Sequence, residues 1–288
     1  MSTEQSWTLG QLLDWTAKHL AQKSIDAPRL DAEVLLAHAV GCKRIDLYGT
    51  RFAEAATPEV RQKYRELIKR RLEGCPVAYL VGKKEFYGYE FAVGSAVLIP
   101  RPDTEVLVAE ALAEAKKKSD ARILDMGAGS GCVPIVLAKK LPNADVTAID
   151  VSPDALAVAR GNAEKHGAKV RFLEGDLFAP LAADDMFDII TSNPPYIAAE
   201  DLPTLPIGVR QYEPMLALDG GPGGFAIFDR LVDAARHRLR PGGTLLLEIG
   251  SPQETPARQK LSAFAEYELG PTVFDHSGHP RVLRAKRR

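Results

Sequence analysis

The run Asn193-Pro194-Pro195-Tyr196 combines residue types that can bind and orient a reacting group. Because proline has no backbone N–H, two consecutive prolines leave nearby carbonyl oxygens without ladder partners. The Asn193 side chain adds one acceptor oxygen and two N–H donors, and Tyr196 adds a flat aromatic face. Such a set can bind a planar group that carries an NH₂, so we predict an enzyme that acts on an amide or amino nitrogen. Asn193, Pro194 and Tyr196 are the candidate catalytic residues, and all four residues are candidate substrate ligands.

A glycine-rich loop, Gly127-Ala128-Gly129-Ser130-Gly131, is the candidate cofactor site. It follows an apolar run at 123–126 and precedes an apolar helical segment, so a ligand can approach the backbone at a helix N-terminus. The spacing differs from the G-x-G-x-x-G pattern that binds a dinucleotide pyrophosphate. Asp125, just before the loop, suits the ammonium group of an amino-acid moiety. A tight strand-to-helix turn that binds no ligand is the alternative interpretation.

Two further carboxylates follow predicted strands. Asp150 ends the second strand, where it can accept hydrogen bonds from both hydroxyls of a ribose. Asp176 follows the third strand, where it can accept from an adenine amino group while Phe178 stacks on the ring. These residues, the glycine loop and Asn193 together predict a site for S-adenosyl-L-methionine.

The elements that must position these residues begin at Arg122, where the sequence starts to alternate between β and α periodicity. Strands are predicted at 123–126, 145–149, 170–173, 187–192 and 244–249, with late strands at 265–269 and 281–285. Helices are predicted at 154–166 and 224–239, and Pro241-Gly242-Gly243 is expected to form a turn. This alternation predicts a doubly wound α/β domain that binds ligands at the carboxyl ends of its strands.

The sequence before Arg122 shows different patterns. Residues 1–75 are predicted to form a small helical domain that recognises the substrate, with a capping box at Thr8 and Gln11 and a helix start at Thr57. A helix at 29–40 is expected to turn Leu30 and Leu35 inward. Residues 85–93 alternate between apolar and polar types around Gly88, which predicts a β-hairpin within a linker at 76–100, and 101–288 are expected to form the catalytic domain.

Composition limits the classes of function. The chain has 288 residues and a net charge of −1, from 37 Lys and Arg against 38 Asp and Glu. Proteins that bind nucleic acid directly usually carry a basic surface, so no nucleic-acid partner is expected. Cys42, Cys75 and Cys132 are odd in number and widely spaced, which argues against a disulfide framework or a zinc cluster. His276 and His279 lack a convincing third ligand, so no metal is predicted.

The start of the chain has neither an apolar run nor an arginine-rich amphipathic pattern, and no later apolar stretch is long enough to span a bilayer. We therefore expect a cytoplasmic protein without a membrane partner, and we expect a monomer.

The chain resembles the protein-(glutamine-N5) methyltransferases along its length. The motifs that carry the resemblance are the glycine loop, the Asn193 run, Glu85-Phe86-Tyr87-Gly88, Ile99-Pro100-Arg101-Pro102-Asp103-Thr104-Glu105 and Tyr212-Glu213-Pro214. Asp103 stands where glutamate is usual in that family. The resemblance implies a Rossmann-like class I methyltransferase domain with a seven-stranded, mostly parallel sheet, joined to an N-terminal helical domain by a hairpin. It also implies the acceptor, which is the glutamine of the Gly-Gly-Gln tripeptide in class 1 peptide chain release factors.

An amide nitrogen is a poor nucleophile because its lone pair is delocalised into the carbonyl group. We predict that the Asn193 side-chain oxygen and the Pro194 carbonyl each accept one hydrogen of the acceptor NH₂, which aims the lone pair at the sulfonium methyl. Tyr196 is predicted to pack against the amide plane. The roles of Arg101, Glu105 and the 212–214 segment stay open.

A nucleic-acid methyltransferase is the main alternative, since the same four residues could bind the amino group of a flipped adenine, cytosine or guanine. The neutral charge and the absence of a separate target-recognition domain count against it. A non-catalytic binding module with the same fold is the second alternative.

Overall fold

The computed structural model describes residues 7–118 and 120–288. The helices lie at α1 Leu9–Gln22, α2 Pro28–Val40, α3 Pro58–Leu72, α4 Val77–Val81, α5 Thr104–Ala115, α6 Cys132–Lys140, α7 Pro153–His166, α8 Ile207–Arg210, α9 Ala226–Ala235 and α10 Glu254–Ser262. The strands lie at β1 Lys83–Phe86, β2 Tyr89–Ala92, β3 Arg122–Met126, β4 Asp145–Asp150, β5 Arg171–Glu174, β6 Phe187–Ser192, β7 Leu239–Glu248, β8 Tyr267–Leu269, β9 Val273–Phe274 and β10 Pro280–Arg287. Short 3₁₀ helices lie at Arg44–Tyr48, Thr50–Ala53, Leu202–Thr204, Met215–Ala217, Pro222–Gly224 and Ser251–Gln253. The predicted features of residues 1–4 lie outside the described residues.

Helices make up the first compact unit, which comprises the described residues up to Gly82 together with Ile207–Tyr212. The predicted capping box is confirmed: the Thr8 side chain accepts from the Gln11 backbone, and the Gln11 side chain accepts from the Thr8 backbone. Thr57 caps α3 with a single bond, in which its side-chain oxygen accepts from the Val60 N–H. The apolar faces of α1 and α2 bury their leucines against each other, which gives this unit its own core.

The expectation that Leu30 points inward is wrong, because 44% of this residue is exposed. Helix α2 instead buries Leu35 and Leu36. Five residues span about 1.4 turns of an α-helix, so Leu30 and Leu35 lie on different faces.

A mixed sheet forms the centre of the second compact unit, which comprises Lys83–Pro206 and Glu213–Arg288. The strand order is β5-β4-β3-β6-β7-β10-β8, and the two-residue β9 pairs with β10. Strands β3 to β7 pair in parallel and β10 runs antiparallel to β7, which confirms the predicted Rossmann-like class. The helices cover both faces of this sheet with separate apolar clusters. The carboxyl ends of β3, β4, β5 and β6 therefore meet at one edge.

The predicted hairpin is present as β1 and β2. Tyr87 and Gly88 form its turn with φ values of 52° and 76°, which matches the two left-handed central residues of a type I′ turn. The Glu105 carboxylate accepts a hydrogen bond of 2.8 Å from the Tyr87 N–H. Glu105 therefore holds the hairpin turn against the start of α5.

The predicted helix at 224–239 and the turn after it differ from the structure. Helix α9 covers Ala226–Ala235, and β7 already begins at Leu239. Gly223 and Gly224 have φ values of 63° and 79°, so they cannot belong to a right-handed helix. The predicted Pro-Gly-Gly turn lies inside β7, where the pairing register with β6 shifts.

Among the described residues, no helix has the length and apolar character needed to cross a membrane. The three cysteines are free thiols.

Candidate active site

An open cavity lies at the carboxyl edge of the sheet, with a volume of about 1290 Å³ when the solvent space at its mouth is included. The predicted residues that line it are Gly127, Ala128, Gly129, Ser130, Asp150, Asp176, Asn193, Pro194 and Pro195. Asp125 also lines it. Folding therefore brings the glycine loop, the three carboxylates and the first part of the Asn193 run into one space. Gly131, Phe178 and Tyr196 are not among its lining residues.

Gly131 closes the glycine loop onto α6 and does not face the cavity. Its φ is 79°, and a Cβ built on it would lie 2.8 Å from Ile135 and 3.1 Å from Ala159. Any larger residue would push the loop away from the helices that support it. The loop also lies beside the Asn193 run, because a Cβ on Gly127 would be 3.9 Å from the Asn193 carbonyl oxygen.

Asp150 connects the glycine loop to the end of β4. One carboxylate oxygen accepts from the Gly129 N–H at 2.8 Å, and the other accepts from the Ser152 N–H at 2.9 Å. Each carboxylate oxygen can accept a second hydrogen bond, so the side chain retains capacity for a ligand with two hydroxyls. The predicted place of Asp150, at the end of the second parallel strand, is the observed one.

Asp125 is a buried acid on the cavity wall. Its carboxylate accepts a hydrogen bond of 2.7 Å from the Thr191 hydroxyl. Ser130 Oγ is also buried, without a hydrogen-bond partner among the described residues, and the nearby Cys132 thiol offers only a weak contact. A buried acid, an unsatisfied hydroxyl and a helix N-terminus suit a ligand with an ammonium and a carboxylate. The residues present thus fit the amino-acid moiety of S-adenosylmethionine.

The buried state of Asp125 predicts a pH dependence of stability. Burial raises the pKa of Asp125 to about 7, opposed by the hydrogen bond from Thr191 and reinforced by the charge of Asp150. The folded state favours the neutral form of Asp125. The contribution of this side chain to the stability of the fold is therefore complete at low pH and is lost as the pH rises through 7. We expect the free energy of unfolding to fall between about pH 5 and about pH 8. Asp125→Asn should reduce that fall by about 2 kcal/mol, since a pKa unit corresponds to about 1.4 kcal/mol.

Urea denaturation of the ligand-free protein at the two pH values measures this difference. Asparagine keeps an oxygen that can accept from Thr191, so the variant should fold. An unchanged fall in the variant would contradict a raised pKa at Asp125.

Asp176 lines the cavity, but its carboxylate is exposed and pairs with Arg230 at 2.5 Å. Phe178 lies in the hydrophobic core with 7% of its surface exposed. Leu177, with a φ of 49°, lines the cavity in its place. The structure thus does not bring the predicted aromatic ring to the cavity, because burial in the core removes more of its apolar surface from water.

Asn193 follows β6 directly, and the buried Thr104 at the start of α5 holds its side chain. The Asn193 Nδ2 group donates to the Thr104 hydroxyl at 3.2 Å. No described residue donates to the Asn193 Oδ1 atom or to the Pro194 carbonyl oxygen. Both acceptors predicted to bind an NH₂ are therefore available.

Tyr196 lies beyond the cavity wall. Its carbonyl oxygen accepts from the Gln253 side chain at 3.0 Å, and its ring lies against Gly250. Burial raises the pKa of the Tyr196 hydroxyl, so this side chain is neutral. These contacts brace the backbone that follows the two prolines.

Two contacts that shape the site involve Arg101, whose role the sequence left open, and Asn162, which sequence reasoning missed. Arg101 lines the cavity and pairs at 2.6 Å with the buried carboxylate of Glu213. The buried Asn162 donates to the carbonyl groups of Ser130 and Ala92, which ties the glycine loop to the hairpin. Both contacts join residues far apart in the chain, so no local pattern revealed them.

The residues around His276 and His279 form a turn. Asp275 accepts from the Ser277 and His279 backbone N–H groups and from the Arg281 side chain. Among the described residues, no cluster of His, Cys, Asp or Glu has the arrangement of a metal site.

Two parts of the chain match known domain families. Residues 11–82 match the PrmC N-terminal domain, and residues 102–205 match the Methyltransferase small domain. A methyltransferase from Pyrococcus furiosus has a similar fold, with a TM-score of 0.50 and 19% identity, over 70% of this chain and 91% of that one.

Whole-chain relatives are more informative about the family. A release factor glutamine methyltransferase from Rhodopirellula baltica is 44% identical over 292 residues, which cover 98% of this chain and 97% of the relative. The protein of the same name from Geobacter sulfurreducens is 47% identical over 247 residues, or 86% of each chain. With the methyltransferase fold and the cavity described above, this similarity shows that the chain belongs to the release factor glutamine methyltransferases.

Proposed function

We propose that this enzyme transfers a methyl group from S-adenosyl-L-methionine to the side-chain amide nitrogen of the glutamine in the Gly-Gly-Gln tripeptide of class 1 release factors. The observation that carries the proposal is that Asn193 and Pro194 line the cavity, while the Asn193 Oδ1 atom and the Pro194 carbonyl oxygen have no donor among the described residues. They match the two hydrogens of a primary amide.

The cavity residues divide between the cofactor and the acceptor. Asp125 and the loop residues 127–130 would hold the amino-acid moiety of the cofactor, Asp150 its ribose, and Asp176 its adenine amino group, while Gly131 closes the loop onto α6. When bound, S-adenosylmethionine supplies a methyl group activated by a sulfonium centre. Phe178 has no place in this assignment because it lies in the core.

Asn193 and Pro194 orient the acceptor amide. Each accepts one N–H of the glutamine, which holds the nitrogen in one position with its lone pair directed into the cavity. Neither residue has to remove a proton before transfer, because the methylated amide nitrogen is strongly acidic and loses its extra proton to solvent afterwards. Catalysis then rests on positioning and fixed dipoles, which are effective in a site shielded from water. We propose that Tyr196 supports the acceptor site from behind the cavity wall, where its ring lies against Gly250 and its carbonyl oxygen accepts from Gln253.

We also propose that the helical unit contacts the release factor, since a tripeptide offers little surface for recognition. Large apolar side chains on this unit support the proposal: Trp15 is 53% exposed, Ile45 73% and Tyr48 48%. The action on a translation protein supports a cytoplasmic location. All the residues that line the cavity belong to the second compact unit of a single chain, which supports a monomeric enzyme. Fractionation and light scattering of the active protein test these two points.

Methyl transfer from labelled cofactor tests the acceptor. We expect label in a purified class 1 release factor, and we expect that label to disappear when the tripeptide glutamine is replaced by alanine. A short Gly-Gly-Gln peptide should be a much poorer substrate than the whole factor.

Retention of label in the glutamine-free factor would overturn the proposed acceptor. Label in ribosomal RNA or DNA offered in the same assay would favour the nucleobase alternative. Equal efficiency on the peptide and the whole factor would contradict recognition by the helical unit.

A further inference from the structure

We propose that Thr104 and Glu248 are positioning residues that fix the Asn193 side-chain amide with its oxygen directed at the acceptor. This inference rests on the proposed function, in which that oxygen accepts an N–H of the substrate amide.

The three residues come from distant parts of the chain. Thr104 is the first residue of α5, Asn193 follows β6, and Glu248 is the last residue of β7. Thr104 is 4% exposed and Glu248 is 3% exposed, so water does not compete freely for their hydrogen bonds. The Thr104 hydroxyl accepts from Asn193 Nδ2 at 3.2 Å, and it lies close enough to the buried Glu248 carboxylate to oppose the rise in the pKa of that group.

The chemistry of these groups sets the direction of the hydrogen bonds between Asn193, Thr104 and Glu248. A threonine hydroxyl has one proton to donate, and an ionised carboxylate can only accept. The Thr104 proton therefore goes to Glu248, and the hydroxyl oxygen faces Asn193 as an acceptor. If the Asn193 amide were flipped, its oxygen would face another oxygen without a proton between them. The flip would also direct its NH₂ group at the substrate NH₂, where two donors cannot bond.

Glu248 is an expensive residue to bury, which points to a role beyond packing. Its Oε2 atom has no hydrogen-bond partner among the described residues. Burial raises its pKa to about 7, opposed first by Thr104, while Asp103 adds to the rise and Arg281 and Arg101 oppose it. An apolar side chain would avoid this desolvation. Protonation of the free Oε2 would still leave an oxygen that accepts from Thr104. The hydrogen bonds therefore keep their direction at pH values below and above the pKa of Glu248.

Thr104→Val removes the hydroxyl and keeps the shape of the side chain. The Asn193 NH₂ group then loses its buried partner in the productive orientation. We expect kcat for methyl transfer to fall about 10- to 100-fold, which is the effect of leaving one buried donor unsatisfied. Thr104→Ser, which keeps the hydroxyl, should restore kcat to within about three-fold of the unaltered enzyme.

Glu248 variants test the second link without changing Thr104. In Glu248→Leu the hydroxyl proton is free to turn toward Asn193, so kcat should fall about 10-fold. Glu248→Gln keeps an acceptor oxygen and should have a much smaller effect. If Thr104→Val does not fold, the contrast between these two variants decides the proposal.

Thr244→Val is the matched control. Thr244 is a buried threonine that donates to a glutamate, Glu114, at 3.4 Å in β7, and it does not line the cavity. Its kcat should be unchanged. Cofactor affinity by calorimetry, the melting temperature and KM for the release factor are measured for every variant, since a positioning role predicts a loss in kcat alone.

Equal kcat values for Thr104→Val and Thr104→Ser would overturn the proposal. Matching losses in kcat, cofactor affinity and melting temperature would assign the residues a structural role instead. Failure of the unaltered enzyme to methylate the release factor would refute the proposed function, and that result is separate from any difference among these variants.

Discussion

Replacement of Asn193 by alanine is expected to lower the rate of methyl transfer about 1,000-fold, at the upper end of the effect of removing one fixed polar group from a transition-state site. The variant retains the Pro194 carbonyl but loses the side-chain oxygen that Thr104 holds in place. The acceptor nitrogen would then be free to rotate out of line with the methyl group. Single-turnover transfer to a release factor measures the rate, and calorimetry should show cofactor affinity within about three-fold of the unaltered enzyme.

Asn143→Ala is a suitable control, because Asn143 is an exposed turn residue before β4. It should leave both quantities unchanged. Equal losses of rate and cofactor affinity in Asn193→Ala would mean that Asn193 is chiefly a cofactor ligand. A rate close to that of the unaltered enzyme would remove Asn193 from the catalytic residues.

Asp150→Ala is expected to weaken cofactor binding by about 100-fold or more. Two hydrogen bonds to a charged group contribute about 1.5–3 kcal/mol each, and about 1.4 kcal/mol corresponds to a tenfold change. The change also frees the Gly129 N–H, which Asp150 holds at 2.8 Å, so the glycine loop loses part of its support. At saturating cofactor, the rate of transfer should change much less than the affinity.

Asp154→Ala is the matched control for this variant. Asp154 is an exposed aspartate in the first turn of α7, and its removal should leave cofactor affinity unchanged. A cofactor analogue that lacks the ribose 2′-hydroxyl separates the two roles of Asp150, which are ribose binding and support of the glycine loop. The unaltered enzyme should discriminate against this analogue, and Asp150→Ala should not. Full discrimination by the variant would assign Asp150 to loop support alone.

Much of the catalytic unit could be predicted from local sequence patterns. The apolar runs before Gly127 and Asn193 are strands, and both motifs begin where parallel strands end. Tyr87 and Gly88 form the expected hairpin turn. These features depend on residues close together in the chain, whose backbone preferences and periodicity are fixed by their own covalent structure.

Two predictions differ from the structure because of contacts between groups that are distant in the chain. Phe178 was expected to stack on the adenine of the cofactor, yet its ring is buried in the hydrophobic core of the catalytic unit. The helix expected at 224–239 is shortened by glycines at its start and by the pairing of Leu239 with Phe187 in β6. In both cases, packing in the folded unit overrides a reasonable local preference.

The sequence by itself determined the class of chemistry, because Asn193, two prolines and an aromatic residue after a buried strand limit what the segment can bind. The glycine loop and the acids at successive strand ends determined the kind of cofactor. Only the tertiary structure decided how the Asn193 amide is oriented. Thr104 lies 89 positions away from it in the chain, and the packing of α5 against β6 and β7 brings their side chains together. A hydrogen-bond direction depends on which donors and acceptors meet, and that meeting is a property of the fold.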